Sequence, residues 1–322
     1  MLRSAFRLLS LAIQATALPA WPQTAYPARP VRLIVPFAPG GSTDFVARTI
    51  GPKLAERLGQ PIVVENKPGG GTLIGTDYVA KAAADGYTVL FTSPSAIAVL
   101  PHIQRLPYDP FKDFIHVVQV CDFPYLLTVH PSVKAQNLDD FLALARARPG
   151  KVTFASTGQG ATTHLVGEMF KAAAGVDLTH VPYKGAGPAV NDLLGGQVDS
   201  MFAVATSGVP HVKAGKLRAL GVSGARRLAA LPEVPTISEA GVKDFEYTAS
   251  FGISVPRATP PAIVARLNAE IRAVVFLPDV AEKFVGQGLE PRAGTSEEYT
   301  SVLRTDSERN GAIIRRIGFK AE

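Results

Sequence analysis

Residues 31–44, Val31-Arg32-Leu33-Ile34-Val35-Pro36-Phe37-Ala38-Pro39-Gly40-Gly41-Ser42-Thr43-Asp44, carry an apolar strand through a glycine turn into the polar first turn of a helix. The same order returns at Lys151-Val152-Thr153-Phe154-Ala155-Ser156-Thr157-Gly158-Gln159-Gly160-Ala161-Thr162-Thr163-His164-Leu165. A helix that starts this way has backbone N–H groups without intrahelical partners, and its dipole favours negative charge there. Such an end is a ready anion site. Two of them predict two lobes that each offer one anion seat to a shared ligand.

Working outward, the pattern alternates strand and helix. A strand over 31–36 leads to a helix over about 43–58, where Phe45, Val46, Ile50, Leu54 and Leu58 recur at helical spacing and Gly59 is a stop. A strand at 61–65, a helix to about 84 and a strand at 87–91 complete βαβαβ, which implies a parallel sheet with right-handed crossovers. The apolar stretch from Val117 to Val129 is a candidate crossing to a second lobe. A second series follows: helix 138–147, strand 151–155, helix 162–174, strand 178–183, helix 188–194, strand 198–204, helix 208–214 and strand 217–222. Tyr247 to Val255 is a candidate return crossing, and helices at about 261–276 and 295–315 are expected to pack back on lobe one. The expected domains are 26–122 with 250–322, and 123–249, each with its own sheet and not one continuous sheet. Strand ends that face one another across two lobes form a cleft able to close by hinge motion.

The first 25 residues read as a secretory signal: Arg3 and Arg7 precede a short apolar core from Leu8 to Leu18, followed by small residues. No later stretch offers the ~18 uninterrupted apolar residues of a membrane span. Cys121 is the only cysteine, so no disulfide within the chain and no lipid anchor after the signal is expected. Export without either points to the periplasm of a Gram-negative bacterium. The formal charge of +6 is spread along the chain without aromatic-basic clusters, which argues against nucleic acid and suits an anionic small ligand.

Seven segments in register carry a family resemblance. They are 36–44, Val64-Glu65-Asn66-Lys67-Pro68-Gly69-Gly70-Gly71, Asp85-Gly86-Tyr87-Thr88-Val89-Leu90, Leu106-Pro107-Tyr108-Asp109-Pro110, Ser156 to Leu165, His180-Val181-Pro182-Tyr183-Lys184-Gly185, and Asp192-Leu193-Leu194-Gly195-Gly196-Gln197-Val198-Asp199. From about Tyr26 onward the chain resembles the Bug receptors, the extracytoplasmic solute-binding proteins of tripartite tricarboxylate transporters. The resemblance implies a type II periplasmic-binding-protein fold: two doubly wound α/β domains, joined by two hinge crossings, that hold a small mono- or dicarboxylate. It also implies membrane permease subunits as partners and a monomeric receptor. Three positions depart from the family pattern: Ala161 replaces a hydroxyl residue, Ala203 an aspartate and Phe251 a tryptophan. The first two fall near the expected cleft and bear on the identity of the ligand.

Ser42, Thr43 and Asp44 either bind ligand or cap the first helix. Gly40 and Gly41 let a backbone approach a ligand closely. Asp44, being acidic, suits orienting the turn or accepting from a water or amine, and Phe37 either walls the ligand or packs in the lobe. Ser93 and Ser95 follow the third strand and face the cleft by topology. Gly158, Gly160, Ala161 and Thr162 form the second anion seat. His164 reads as a helix residue bonded locally. Tyr183 offers a hydroxyl and an aromatic wall, Lys184 reads as solvated, and Gly185 ends the strand beside them.

Enzyme signatures are missing from the sequence. There is no Gly-x-Ser-x-Gly elbow, no phosphate-binding Gly-x-x-x-x-Gly-Lys loop, and the six histidines lie at 102, 116, 130, 164, 180 and 211 without metal spacing. No metal, cofactor or catalytic residue is expected. A sensor that presents its ligand-bound form to a signalling partner would share the fold and is the alternative reading; a periplasmic enzyme is a more distant one.

Overall fold

Three parallel strands begin the chain: β1 (Val31–Val35), β2 (Ile62–Asn66) and β3 (Thr88–Thr92). They are linked by helices α1 (Ser42–Leu58) and α2 (Leu73–Ala80). The protein is seen here in a computed structural model that describes residues 26–320, so the expected signal at 1–25 lies outside the described residues. After β3, Ser95–Val99 form a wide helical turn that replaces an expected loop. The second series comprises β4 (Phe114–Val129), α3 (Leu138–Ala147), β5 (Thr153–Ser156), α4 (Thr162–Ala174), β6 (Thr179–Pro182), α5 (Ala186–Leu194), β7 (Ser200–Val204), α6 (Ala205–Lys213) and β8 (Arg218–Val222). Then come β9 (Thr248–Pro256), α7 (Pro261–Val275), α8 (Pro278–Gly286), β10 (Glu290–Pro291) and α9 (Ser296–Ile317).

The strand order is β2-β1-β3-β9-β4-β7-β5-β6, with β8 and β10 also paired to β4. Lobe one holds β1, β2, β3 and β9; lobe two holds β5, β6, β7 and β8. Both crossings are strands. The longer first part of β4, Phe114 to Pro124, pairs antiparallel with β9, and its last five residues, Tyr125 to Val129, pair with β7 and β8. The lobes are therefore not built on separate sheets, as the alternation suggested: hydrogen bonding runs unbroken through β4. A buried extended crossing has backbone donors and acceptors that need partners, and pairing the two crossings with each other supplies them. β4 is almost wholly buried, which explains why it reads as a long apolar run.

The closing helices hold lobe one from outside. α7 packs on α1 and β4, and α9 lies over β4 and the Ser95–Val99 turn. α8 and β10 occupy a stretch that the periodicity left without an element. α9 begins at a capping box in which Thr295 and Glu298 exchange side-chain and backbone bonds. Its far end also reaches lobe two, where Phe319 meets His164 of α4 edge-on, ring centroids 4.6 Å apart.

Candidate functional site

Four helices start from strand ends that face the gap between the lobes: α1 after β1, α4 after β5, α5 after β6 and α6 after β7. At α1 the N-cap is Gly41, which has no side chain to satisfy the first turn, and the N–H groups of Ser42, Thr43 and Asp44 have no partner among the described residues. All three residues are buried. The turn is held instead by Asp44, whose carboxylate accepts from Gly40 N–H (3.1 Å), Arg48 Nε (2.9 Å) and Asn66 Nδ2 (3.1 Å). Burial pushes that carboxyl up, but the bonds from Arg48, Gly40 and Asn66 outweigh it and hold it below the usual carboxylate range.

The start of α4 is built differently. Its N-cap is Ala161, again without a capping side chain. The missing hydroxyl is supplied from lobe one: Thr162 N–H donates to Ser95 Oγ at 3.0 Å, and the Ser95 and Thr162 hydroxyls pair at 3.0 Å. Thr163 Oγ1 accepts from Thr157 N–H (2.8 Å), Gly158 N–H donates to Ser156 Oγ (3.2 Å), and Gly160 N–H donates to His164 Nδ1 (3.3 Å). The Gly-x-Gly pattern implied free donors at Gly158 and Gly160, and the structure pairs both within the turn. The Thr163 N–H is the first-turn donor of α4 with no partner among the described residues.

The glycines serve close approach between the lobes. A Cβ on Gly41 would stand 3.0 Å from Ala186 Cβ, one on Gly158 3.4 Å from Gly71 Cα, and one on Gly185 3.0 Å from Ala38 N. Gly185 also holds φ at +144°, which side chains rarely adopt. A direct backbone bond, Ala38 N–H to Lys184 O at 3.2 Å, and the hydroxyl pair Ser42–Ser207 at 2.8 Å close the same seam. Turn therefore meets turn at these positions.

Between the lobes lies a cavity lined by Phe37, Ser42, Thr43, Ser93, Ser95 and Thr162, all foreseen from sequence. Pro94, Tyr125, Thr157, Thr163, Ala186, Val204 and Phe251 complete it and were not foreseen. It is small, with a volume of about 30 Å³. None of its lining side chains is charged. Ser93 is 1 % exposed and its Oγ has no hydrogen-bond partner among the described residues. Of the three departures from the family pattern, Phe251 reaches the cavity, Ala161 caps α4 beside it, and Ala203 is buried without lining it.

Gly40, Gly41, Asp44, Gly158, Gly160, Ala161, Tyr183 and Gly185 do not line the cavity. Gly158 and Tyr183 instead border an adjoining crevice that shares Phe37 and Thr157 with it. Tyr183 donates its hydroxyl to Asp192 at 2.7 Å, and burial and that carboxylate push its pKa up to about 12. His164 stacks on His180 with ring centroids 3.5 Å apart, outside the cavity. Burial, and then the charges of His180 and Lys171, push the His164 pKa down to about 3. Among the described residues no three His, Cys, Asp or Glu side chains group to hold a metal ion, and no helix is long and apolar enough to cross a membrane.

Two α/β lobes on paired crossing strands, closing over a neutral hydroxyl-lined cavity, define the class of two-lobed solute-binding receptors. Residues 46–319 match the family model described as tripartite tricarboxylate transporter family receptor. The chain belongs to that family, and is a receptor and not an enzyme. It is similar to protein BugT of Bordetella pertussis, 40 % identical over 92 % of this chain and 91 % of that one. Two solved structures are similar across the fold. One, an R. palustris protein with adipate, has a TM-score of 0.88 at 35 % identity and covers 91 % of this chain and 98 % of its own. The other, MatC from Rhodopseudomonas palustris with bound malate, has a TM-score of 0.86 at 31 % identity and covers 90 % of this chain and all (100 %) of its own.

Proposed function

We propose that this receptor captures a small mono- or dicarboxylate in the cavity between its lobes, in the periplasm. As a monomer, it then presents the ligand to the membrane permease subunits of a tripartite tricarboxylate transporter. The observation that carries the reading is the first turn of α1: the N–H groups of three buried residues, Ser42, Thr43 and Asp44, have no partner among the described residues and sit at the positive end of a helix dipole. A carboxylate accepts from such donors without a counter-ion, and none lines the cavity. The solved relatives that hold adipate and malate support the same class of ligand.

In this reading the lobes move as domains 26–122 with 250–322, and 123–249. The exchange of partners along β4, from β9 at Pro124 to β7 at Tyr125, supports a hinge there. Residues 1–25 act as the export signal. Native mass spectrometry of freshly purified protein tests the proposal. A retained carboxylic acid at one per chain is expected, and a retained cation, or a product formed from an added acid, would overturn it.

A further inference from the structure

Outside the cavity, four rings form a column beside the turn that opens α4. They are Phe154 of β5, His180 of β6, His164 of α4 and Phe319 just beyond α9, with successive centroids 5.0, 3.5 and 4.6 Å apart. The two imidazoles hold the turn by one bond each. His164 Nδ1 accepts from Gly160 N–H (3.3 Å), and His180 Nε2 pairs with Ser156 Oγ (2.6 Å), which also accepts from Gly158 N–H (3.2 Å). That turn and the start of α4 bring Thr157, Thr162 and Thr163 to the cavity wall.

Three of the rings belong to lobe two, and Phe319 belongs to a helix rooted in lobe one. Ser296 Oγ at the start of α9 donates to the His116 carbonyl at 2.6 Å, and Ser307 pairs with His102 at 2.9 Å. At the far end the N–H groups of Gly318 and Phe319 both bond to Ile314 O, so the Phe319 ring is fixed to the helix. Phe319 is 8 % exposed and His164 beneath it 5 %. Cover from water matters there, because Nδ1 accepts a hydrogen bond only while the imidazole is neutral. The charged side chains around the pair are Glu168 and Lys171 of α4, bonded to each other at 3.0 Å, and Lys320.

Resting on the reading of the cavity as the ligand seat, we infer that Phe319 is a positioning residue: it clasps the end of α9 onto the imidazole pair, so that lobe one holds in shape the lobe-two turn that faces the ligand. Hydrogen exchange read by mass spectrometry, on wild type and Phe319→Ala without added acid, tests the clasp. Residues 157–163 should exchange about tenfold faster or more in the variant, and α3 of the same lobe should not change. Between pH 7 and pH 5.5, corrected for intrinsic rates, the turn should stay protected in wild type and lose protection in the variant, whose uncovered imidazoles titrate near ~6.5. Native mass spectra of the two proteins purified side by side should show an acid retained by wild type and about tenfold less by the variant. Unchanged exchange at 157–163, an equal rise in α3, or equal retention of an acid overturns the inference and leaves the carboxylate reading standing. A wild type that retains no acid overturns that reading instead, and exchange alone then decides the clasp.

Discussion

Replacing Gly187 by Ala separates closure of the lobes from stability of the fold. Gly187 lies in the first turn of α5 in lobe two with ordinary helical backbone, so alanine fits there without strain and is favoured over glycine by up to about 1 kcal/mol in a helix. Its Cβ, however, would stand 2.6 Å from the carbonyl oxygen of Pro39 in lobe one. Both contacting parts are tied to backbone, so the lobes must part by roughly half an ångström at that point, because packed interiors yield little. The seam there is held by Ala38 N–H to Lys184 O at 3.2 Å, Ser42 to Ser207 at 2.8 Å and Ser95 to Thr162 at 3.0 Å. Each such bond contributes about 0.5–1.5 kcal/mol net, so losing two costs about 1–3 kcal/mol. That weakens carboxylate affinity roughly five- to 150-fold. Calorimetric titration should show the loss, while thermal unfolding without ligand should be unchanged or slightly improved. Gly175→Ala is the control: φ is +62° at the end of α4 with open space around it, so it should lower stability by about 1 kcal/mol and leave affinity alone. Wild-type affinity in Gly187→Ala would mean that the seam seen here is not part of the ligand-bound state, and the reasoning would fail.

Two further outcomes follow from the same geometry. Asp44→Ala removes the acceptor that ties together Gly40, Arg48 and Asn66, and the loss of these three bonds should cost about 1–3 kcal/mol in urea unfolding together with a loss of affinity; unchanged stability would show that the turn holds without it. Acid should destabilise the protein: burial foremost pushes the pKa values of His116, His164 and His180 down to about 4, 3 and 4. Unfolded imidazole titrates near ~6.5, so below that pH the unfolded chain binds protons that the fold refuses, and at pH 5 each group costs about 2 kcal/mol. Burial raises the Asp306 carboxyl to about 6, which works in the opposite sense as the pH falls through that value and returns only about 1 kcal/mol at pH 5. Unfolding free energy measured at pH 7 and pH 5 should therefore fall by several kcal/mol, and equal values would contradict the buried, neutral state of the three imidazoles.

The fold was legible along the chain because its determinants are local. Apolar residues at helical spacing through Phe45, Val46, Ile50, Leu54 and Leu58, with Gly59 closing the helix in a left-handed turn, specify α1 within a few residues of its bounds. The alternation of such units implies parallel strands and a cleft at their ends, and the placing of Phe37, Ser42, Thr43, Ser93, Ser95 and Thr162 around one cavity follows from that topology. Tertiary structure alone decided which donors stay free. Ala161 has no capping side chain, and only the approach of Ser95, far away in sequence, gives Thr162 N–H its acceptor. The close glycines were legible as positions of close approach, but whether the approaching group is a ligand or Ala186 and Ala38 of the facing lobe is a property of pairs. Tyr125, Val204 and Phe251 look in sequence like ordinary buried strand residues. They become cavity wall because β4, β7 and β9 meet where the crossing strand exchanges one partner for the other. Hydrogen-bond satisfaction and steric contact depend on distances between segments remote in the chain, which local periodicity does not encode.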